Sequence, residues 1–83
     1  MRKVVITGCS SGLGLAMARL GRNQGWDVLA SVRKTKDAAQ LEELGCKVET
    51  LDLQSSESVL NFAKAALSWS PDGIDGLVNN AGN

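Results

Sequence analysis

Three glycines near the amino terminus, in Thr7-Gly8-Cys9-Ser10-Ser11-Gly12-Leu13-Gly14, have the spacing to hold a phosphate group. The run follows Val4-Val5-Ile6, apolar enough for a buried strand, and leads into Leu13, Met17 and Leu20 at helical spacing. The first amides of such a helix have no acceptor within it, and aligned peptide dipoles add roughly half a positive charge at that end. An anion can therefore be held by backbone alone, provided no Cβ keeps it at a distance. Gly8, Gly12 and Gly14 form G-x-x-x-G-x-G rather than the G-x-G-x-x-G dinucleotide fingerprint, although the physics is shared. A tight strand-to-helix turn with no ligand would also use glycines, so the loop alone leaves both readings open. No Gly-Lys-Ser/Thr ending follows, which sets a Walker loop aside.

Other chemistry is thinly supplied. The 83 residues contain no histidine and no tyrosine, so neither is available as a general acid. Cys9 and Cys46 form no C-x-x-C pair and no disulfide framework, and free thiols in an intracellular chain are the expectation. Cys9 stands near a helix start, where a thiol pKa can fall, but a small loop residue explains it equally well. Trp26 and Trp69 each follow a helix and are simplest as packing residues. With a formal net charge of zero, no basic excess argues for nucleic acid. Three strongly apolar residues after Met1-Arg2-Lys3 are too few for a signal peptide, and no 18-residue apolar run could span a membrane. A soluble, cytoplasmic chain of at most one domain is expected, with marginal core burial at this length.

The elements that would position the loop alternate along the chain. Strands are expected at about Lys3–Thr7, Asp27–Val32, Lys47–Leu51 and Ile74–Asn79. A helix from Gly12 to Gln24 should stop at Gly25, and a second, capped by Thr35, should run through Ala38, Leu41 and Leu44. Gly21 inside the first helix costs about 1 kcal/mol against alanine, with nothing nearby in the sequence to compensate. A third, capped by Ser55 or Ser56, would present Val59, Leu60, Phe62, Ala63, Ala66 and Leu67, followed by a Pro71-Asp72-Gly73 turn. The βαβαβαβ order implies an α/β fold, a partial doubly wound Rossmann sheet of parallel strands. Right-handed crossovers give strand order 3-2-1-4, with two helices on one face and the third on the other. The crevice then opens between the first and fourth strands, beside the glycine loop.

Three motifs fall at the carboxyl ends of these strands: Thr-Gly-x-x-x-Gly-x-Gly from Thr7, Asp52-Leu53, and Asn79-Asn80-Ala81-Gly82. Together they resemble the short-chain dehydrogenase/reductase family over the whole chain. Thr7 to Gly12 with Ala30-Ser31-Val32-Arg33 is most similar to the branch containing steroid and retinoid dehydrogenases. The resemblance implies that Gly8, Ser10, Ser11, Gly12, Leu13 and Gly14 wrap the pyrophosphate and adenosine ribose of a nicotinamide dinucleotide. Val32 stands where NAD-preferring members carry an aspartate, and Arg33 beside it suits a 2′-phosphate, so NADP(H) is the implied cofactor. Asp52 would accept from the adenine amino group and Leu53 would pack on the ring. Asn80, Ala81 and Gly82 would lie along the ribose, while Asn79 would tie the fourth strand into the sheet. Each has a plainer alternative: Arg33 as a solvated charge beside Lys34 and Lys36, Asp52 as a turn residue before Ser55, the asparagines as turn formers.

The family's Tyr-x-x-x-Lys pair, with its serine and helix asparagine, falls after Asn-Asn-Ala-Gly and has no counterpart here. Residues 1–83 therefore resemble the cofactor-binding part of an oxidoreductase acting on an alcohol or carbonyl, a fragment not expected to transfer hydride alone. The alternative is a non-catalytic nucleotide-binding or interaction module. An open fourth-strand edge bearing Leu77 and Val78, and a third helix too small to cover four strands, predict self-association or completion by another chain.

Overall fold

A computed structural model describes residues 1–80. Its four strands, β1 (Lys3–Ile6), β2 (Asp27–Val32), β3 (Lys47–Thr50) and β4 (Gly76–Val78), form one parallel sheet in the order β3-β2-β1-β4. Helices α1 (Gly12–Asn23), α2 (Ala39–Glu43) and α3 (Ser56–Trp69) make the crossovers. The expected order and topology are therefore present: β2 has the expected bounds, while the ends of β1, β3 and β4 fall one or two residues short of them.

Alternation along β1 and β2 divides the sheet into two unlike faces. Val4, Ile6, Val28, Ala30 and Val32 point to one side and form the core with Ala18 of α1, Leu41 of α2, Cys9 and Cys46. Val5 and Leu29 point to the other, which they share with Lys3, whose ammonium stands 4.6 Å from the Trp69 ring centroid at the end of α3. Trp69 thus packs against a cation, and α1 and α2 lie opposite α3, as right-handed crossovers require.

The helices differ from expectation in which residues they bury. On α1 the buried stripe is Gly14, Ala18 and Gly21, whereas Leu13 and Leu20 are 66% and 58% exposed. Small residues let α1 approach the sheet closely. At Gly21 an added Cβ would come within 2.9 Å of the Trp26 ring and 3.3 Å of Val28. The compensation for this glycine is thus Trp26, in the turn just before β2. Thr35 does not cap α2: Thr35–Asp37 forms a 3₁₀ turn, and α2 starts at Ala39 after Ala38 without a side-chain cap. Two short turns reach β3 where one longer helix was expected. Ser55 does cap α3, its hydroxyl accepting from the Ser58 amide at 3.1 Å. None of the residues of α3 is fully buried, and Val59, Leu60 and Leu67 stay exposed, as does Leu77 on β4. An apolar surface is left open on this side of the sheet, as the sequence leads one to expect. No helix among the described residues is long and apolar enough to cross a membrane.

Candidate functional site

The loop between β1 and α1 leaves the sheet where the β1–β2 ladder ends, at the pair Ile6–Ala30. Its backbone is pinned from three sides. The Gly8 amide donates to the Ser31 hydroxyl at 3.0 Å, and the Cys9 amide to the Ser31 carbonyl at 2.8 Å. From β4, the Asn80 side chain donates to the Gly8 carbonyl at 3.1 Å, and its backbone amide donates to the Thr7 hydroxyl at 2.9 Å. From the start of α2, Gln40 donates to the Ser10 carbonyl at 2.9 Å. Thr7 is buried, and its hydroxyl also donates to Asn79 Oδ1 at 3.2 Å, so Asn79 does tie β4 to β1.

These contacts sort the loop residues. The Gly8 and Cys9 amides are turned toward β2 and are consumed there, so Gly8 serves the loop's shape rather than offering an amide to a ligand. Gly8 and Gly12 carry φ of +70° and +60°, the left-handed region. Ser11 is extended at the N-cap of α1, makes no cap hydrogen bond with its side chain, and no acidic residue stands in the first turn. No carboxylate of α1's own first turn neutralises its positive end. Gly14 is a case of close approach: a Cβ there would overlap the Gly8 carbonyl oxygen and lie 2.8 Å from Asn80 Nδ2. Ser11, Gly12 and Leu13 are exposed at the start of α1, and Ser10 is half-buried.

The other sequence-derived residues lie around this rim. Arg33 follows the end of β2, exposed beside exposed Lys34 and Lys36. Among the described residues the ion pairs are Lys3–Asp27 and Lys47–Glu49, so Arg33 belongs to neither. Asp52 follows β3 and works in a turn. Its Oδ1 accepts from the Gln54 amide at 3.0 Å, its carbonyl accepts from Ser55, and its amide donates to Ser58 Oγ at 2.9 Å. One carboxylate oxygen is thus committed locally, and Leu53 is exposed. Asn80 braces the loop with its side chain. Ala81 and Gly82 lie outside the described residues. A polar cleft between β3 and α3 contains Glu49 and Glu57, charges unsuited to an anion.

Cys9 is not an activated thiol. It is buried, donates to the Ile6 carbonyl at 3.1 Å, and burial pushes its pKa up to about 11, opposing a smaller lowering from a hydrogen bond to Ser31. Burial also raises the Cys46 thiol, partly offset by Arg22. Sequence reasoning did not single out Ser31 or Gln40. A serine inside the otherwise apolar run of β2 was a usable signal, since a buried hydroxyl needs a partner.

A crevice at the carboxyl ends of parallel strands, beside an uncapped helix start, is where open α/β sheets bind nucleotides. The sequence pattern of the short chain dehydrogenases matches residues 2–83. The chain belongs to that family. This short-chain dehydrogenase chain is 40% identical over 81 residues to the uncharacterized oxidoreductase YbbO of Escherichia coli strain K12, covering 98% of this chain and 30% of YbbO. It is also 40% identical over 87 residues to retinol dehydrogenase 7 of Mus musculus, covering 95% of this chain and 26% of that protein. The solved structure of a metagenomic short-chain oxidoreductase in complex with NADP matches with a TM-score of 0.82 at 32% identity, over 99% of this chain and 39% of that one. The chain thus spans less than a third of these two curated relatives.

Proposed function

We propose that residues 1–83 are the NADP(H)-binding half of a Rossmann-type domain in a short-chain oxidoreductase acting on an alcohol or carbonyl substrate. The observation that supports this reading is the start of α1, where Ser11 makes no side-chain cap hydrogen bond and no acidic residue stands in the first turn, held close to the Gly8 carbonyl because Gly14 has no Cβ. The cofactor, when bound, supplies the hydride chemistry. The chain's own part is to bind and orient. The helix-start amides around Ser11–Leu13 take the pyrophosphate, and Arg33, one strand over, takes the 2′-phosphate as a charge-assisted pair. Asp52 offers its remaining carboxylate oxygen to the adenine amino group, beside Leu53. Ala81 and Gly82 complete the ribose side. No tyrosine is present to protonate a carbonyl, so this chain alone does not turn over substrate.

Calorimetry separates the half-site from a whole one. 2′,5′-ADP should bind nearly as tightly as NADPH, because it carries the adenosine, the 2′-phosphate and the adenosine-side phosphate of the pyrophosphate, and no residue of this half-site is assigned to the nicotinamide. Much tighter NADPH binding would refute the half-site, and no heat from either would refute nucleotide binding.

A second reading, an interaction module completed by another chain, draws on the two sheet edges. The β3 edge carries Lys47 and Glu49, paired at 3.7 Å, the charges that discourage strand addition. The β4 edge carries Leu77, exposed beside the open side of α3. Self-association or completion through β4 follows. Sedimentation that found a well-folded monomer at high concentration would contradict it.

A further inference from the structure

We propose that Ser31 is a positioning residue for nucleotide binding, setting the glycine loop through the peptide units on either side of Gly8; this rests on the cofactor reading above. Ser31 is 1% exposed in a strand whose other residues after Asp27 are valine, leucine and alanine. Packing alone would favour an apolar side chain there. Its hydroxyl instead accepts the Gly8 amide, and its carbonyl accepts the Cys9 amide. The Gly8–Cys9 peptide is held at both ends, because its carbonyl accepts from Asn80. The regular ladder stops at Ile6–Ala30, and Ser31 extends the grip of β2 by one residue, using both its carbonyl and its side chain. With those two peptides fixed, the chain turns at Ser10–Gly12 toward the helix start. Arg33 lies two residues further on, just past the end of β2. β2 thus carries the loop's brace and the residue after its end carries the guanidinium, and the two have separable effects. Arg33 acts on ligands with a 2′-phosphate; Ser31 acts on ligands with a 5′-phosphate.

The test uses native, Ser31→Ala and Ser31→Thr chains with NADP⁺, 2′,5′-ADP and 2′-AMP, which has no 5′-phosphate. Loss of one neutral hydrogen bond predicts weakening of NADP⁺ and 2′,5′-ADP by about 3- to 10-fold in Ser31→Ala. Binding of 2′-AMP should be unchanged, and Ser31→Thr should restore the native affinities. Amide exchange without ligand gives a second readout: the Gly8 amide should exchange faster in Ser31→Ala, while the Val5 and Leu29 amides hold. Equal weakening of all three ligands, or faster exchange across both strands, would mean general loosening and overturn the proposal. Unchanged Gly8 exchange would overturn it as well. If the native chain bound no ligand while Gly8 exchange responded as stated, the brace would stand. The cofactor reading, and with it the nucleotide role of Ser31, would then fall.

Discussion

Gly12 and Gly14 stand two residues apart yet should fail for different reasons when replaced. At Gly14 the added methyl meets the Gly8 carbonyl, which is backbone and cannot turn aside, and lies 2.8 Å from Asn80 Nδ2. The loop must move off the helix start, which breaks the 3.1 Å bond from Asn80. Overpacking costs about 1–3 kcal/mol. The lost hydrogen bond adds about 0.5–1.5 kcal/mol. Better helix propensity returns about 1 kcal/mol. The balance is about 2 kcal/mol of destabilisation, a fall in melting temperature of about 8–16 °C for a domain of this size. At Gly12 nothing lies within 4 Å of an added Cβ, but φ is +60°. The cost there is left-handed strain of about 1–2 kcal/mol, which asparagine largely avoids. Gly12→Asn should therefore melt above Gly12→Ala, whereas Gly14→Asn should melt below Gly14→Ala. Thermal denaturation followed by circular dichroism, with NADP⁺ calorimetry on each variant, reads both. Parallel rankings at the two positions would refute the division into a conformational and a steric glycine. So would a Gly14→Ala chain that melted and bound like the native one.

Gly21→Ala should lower the melting temperature although helix propensity favours it by about 1 kcal/mol. The methyl meets the Trp26 ring at 2.9 Å, an overlap worth about 1–3 kcal/mol, and a stabilised variant would disprove that contact. Arg33→Ala should cost NADP-type ligands about 1.5 kcal/mol, the lower end for a charged hydrogen bond because the site is exposed, and leave NAD binding near native. Equal losses for both ligands by calorimetry would remove the 2′-phosphate role. Cys9 has a folded pKa of about 11 against an ordinary 9.0, so the fold favours the neutral thiol. Its contribution to stability should be complete below pH 9 and decline as pH rises toward 11, and Cys9→Ala should flatten that decline in urea titrations between those limits.

Much of the frame could be read directly from the chain. Alternating apolar runs and capped helical stretches specify βαβαβαβ, and right-handed crossovers leave few topologies besides 3-2-1-4. The glycine spacing, Asp52-Leu53 and Asn79-Asn80 were legible because each is a local pattern at a strand end. What the three-dimensional packing alone decided is which atoms meet across long separations. Periodicity says that α1 has an apolar face, yet the helix turns its glycines and alanine inward because the sheet lies close, leaving Leu13 and Leu20 outside. Gly14 is required by a carbonyl six residues earlier, Gly21 by a tryptophan in the turn that follows the helix. Ser31 gains its importance from an amide 23 residues away. Helical and strand periods are set by neighbours along the backbone, whereas steric exclusion and hydrogen-bond pairing depend on positions that exist only once the sheet has formed.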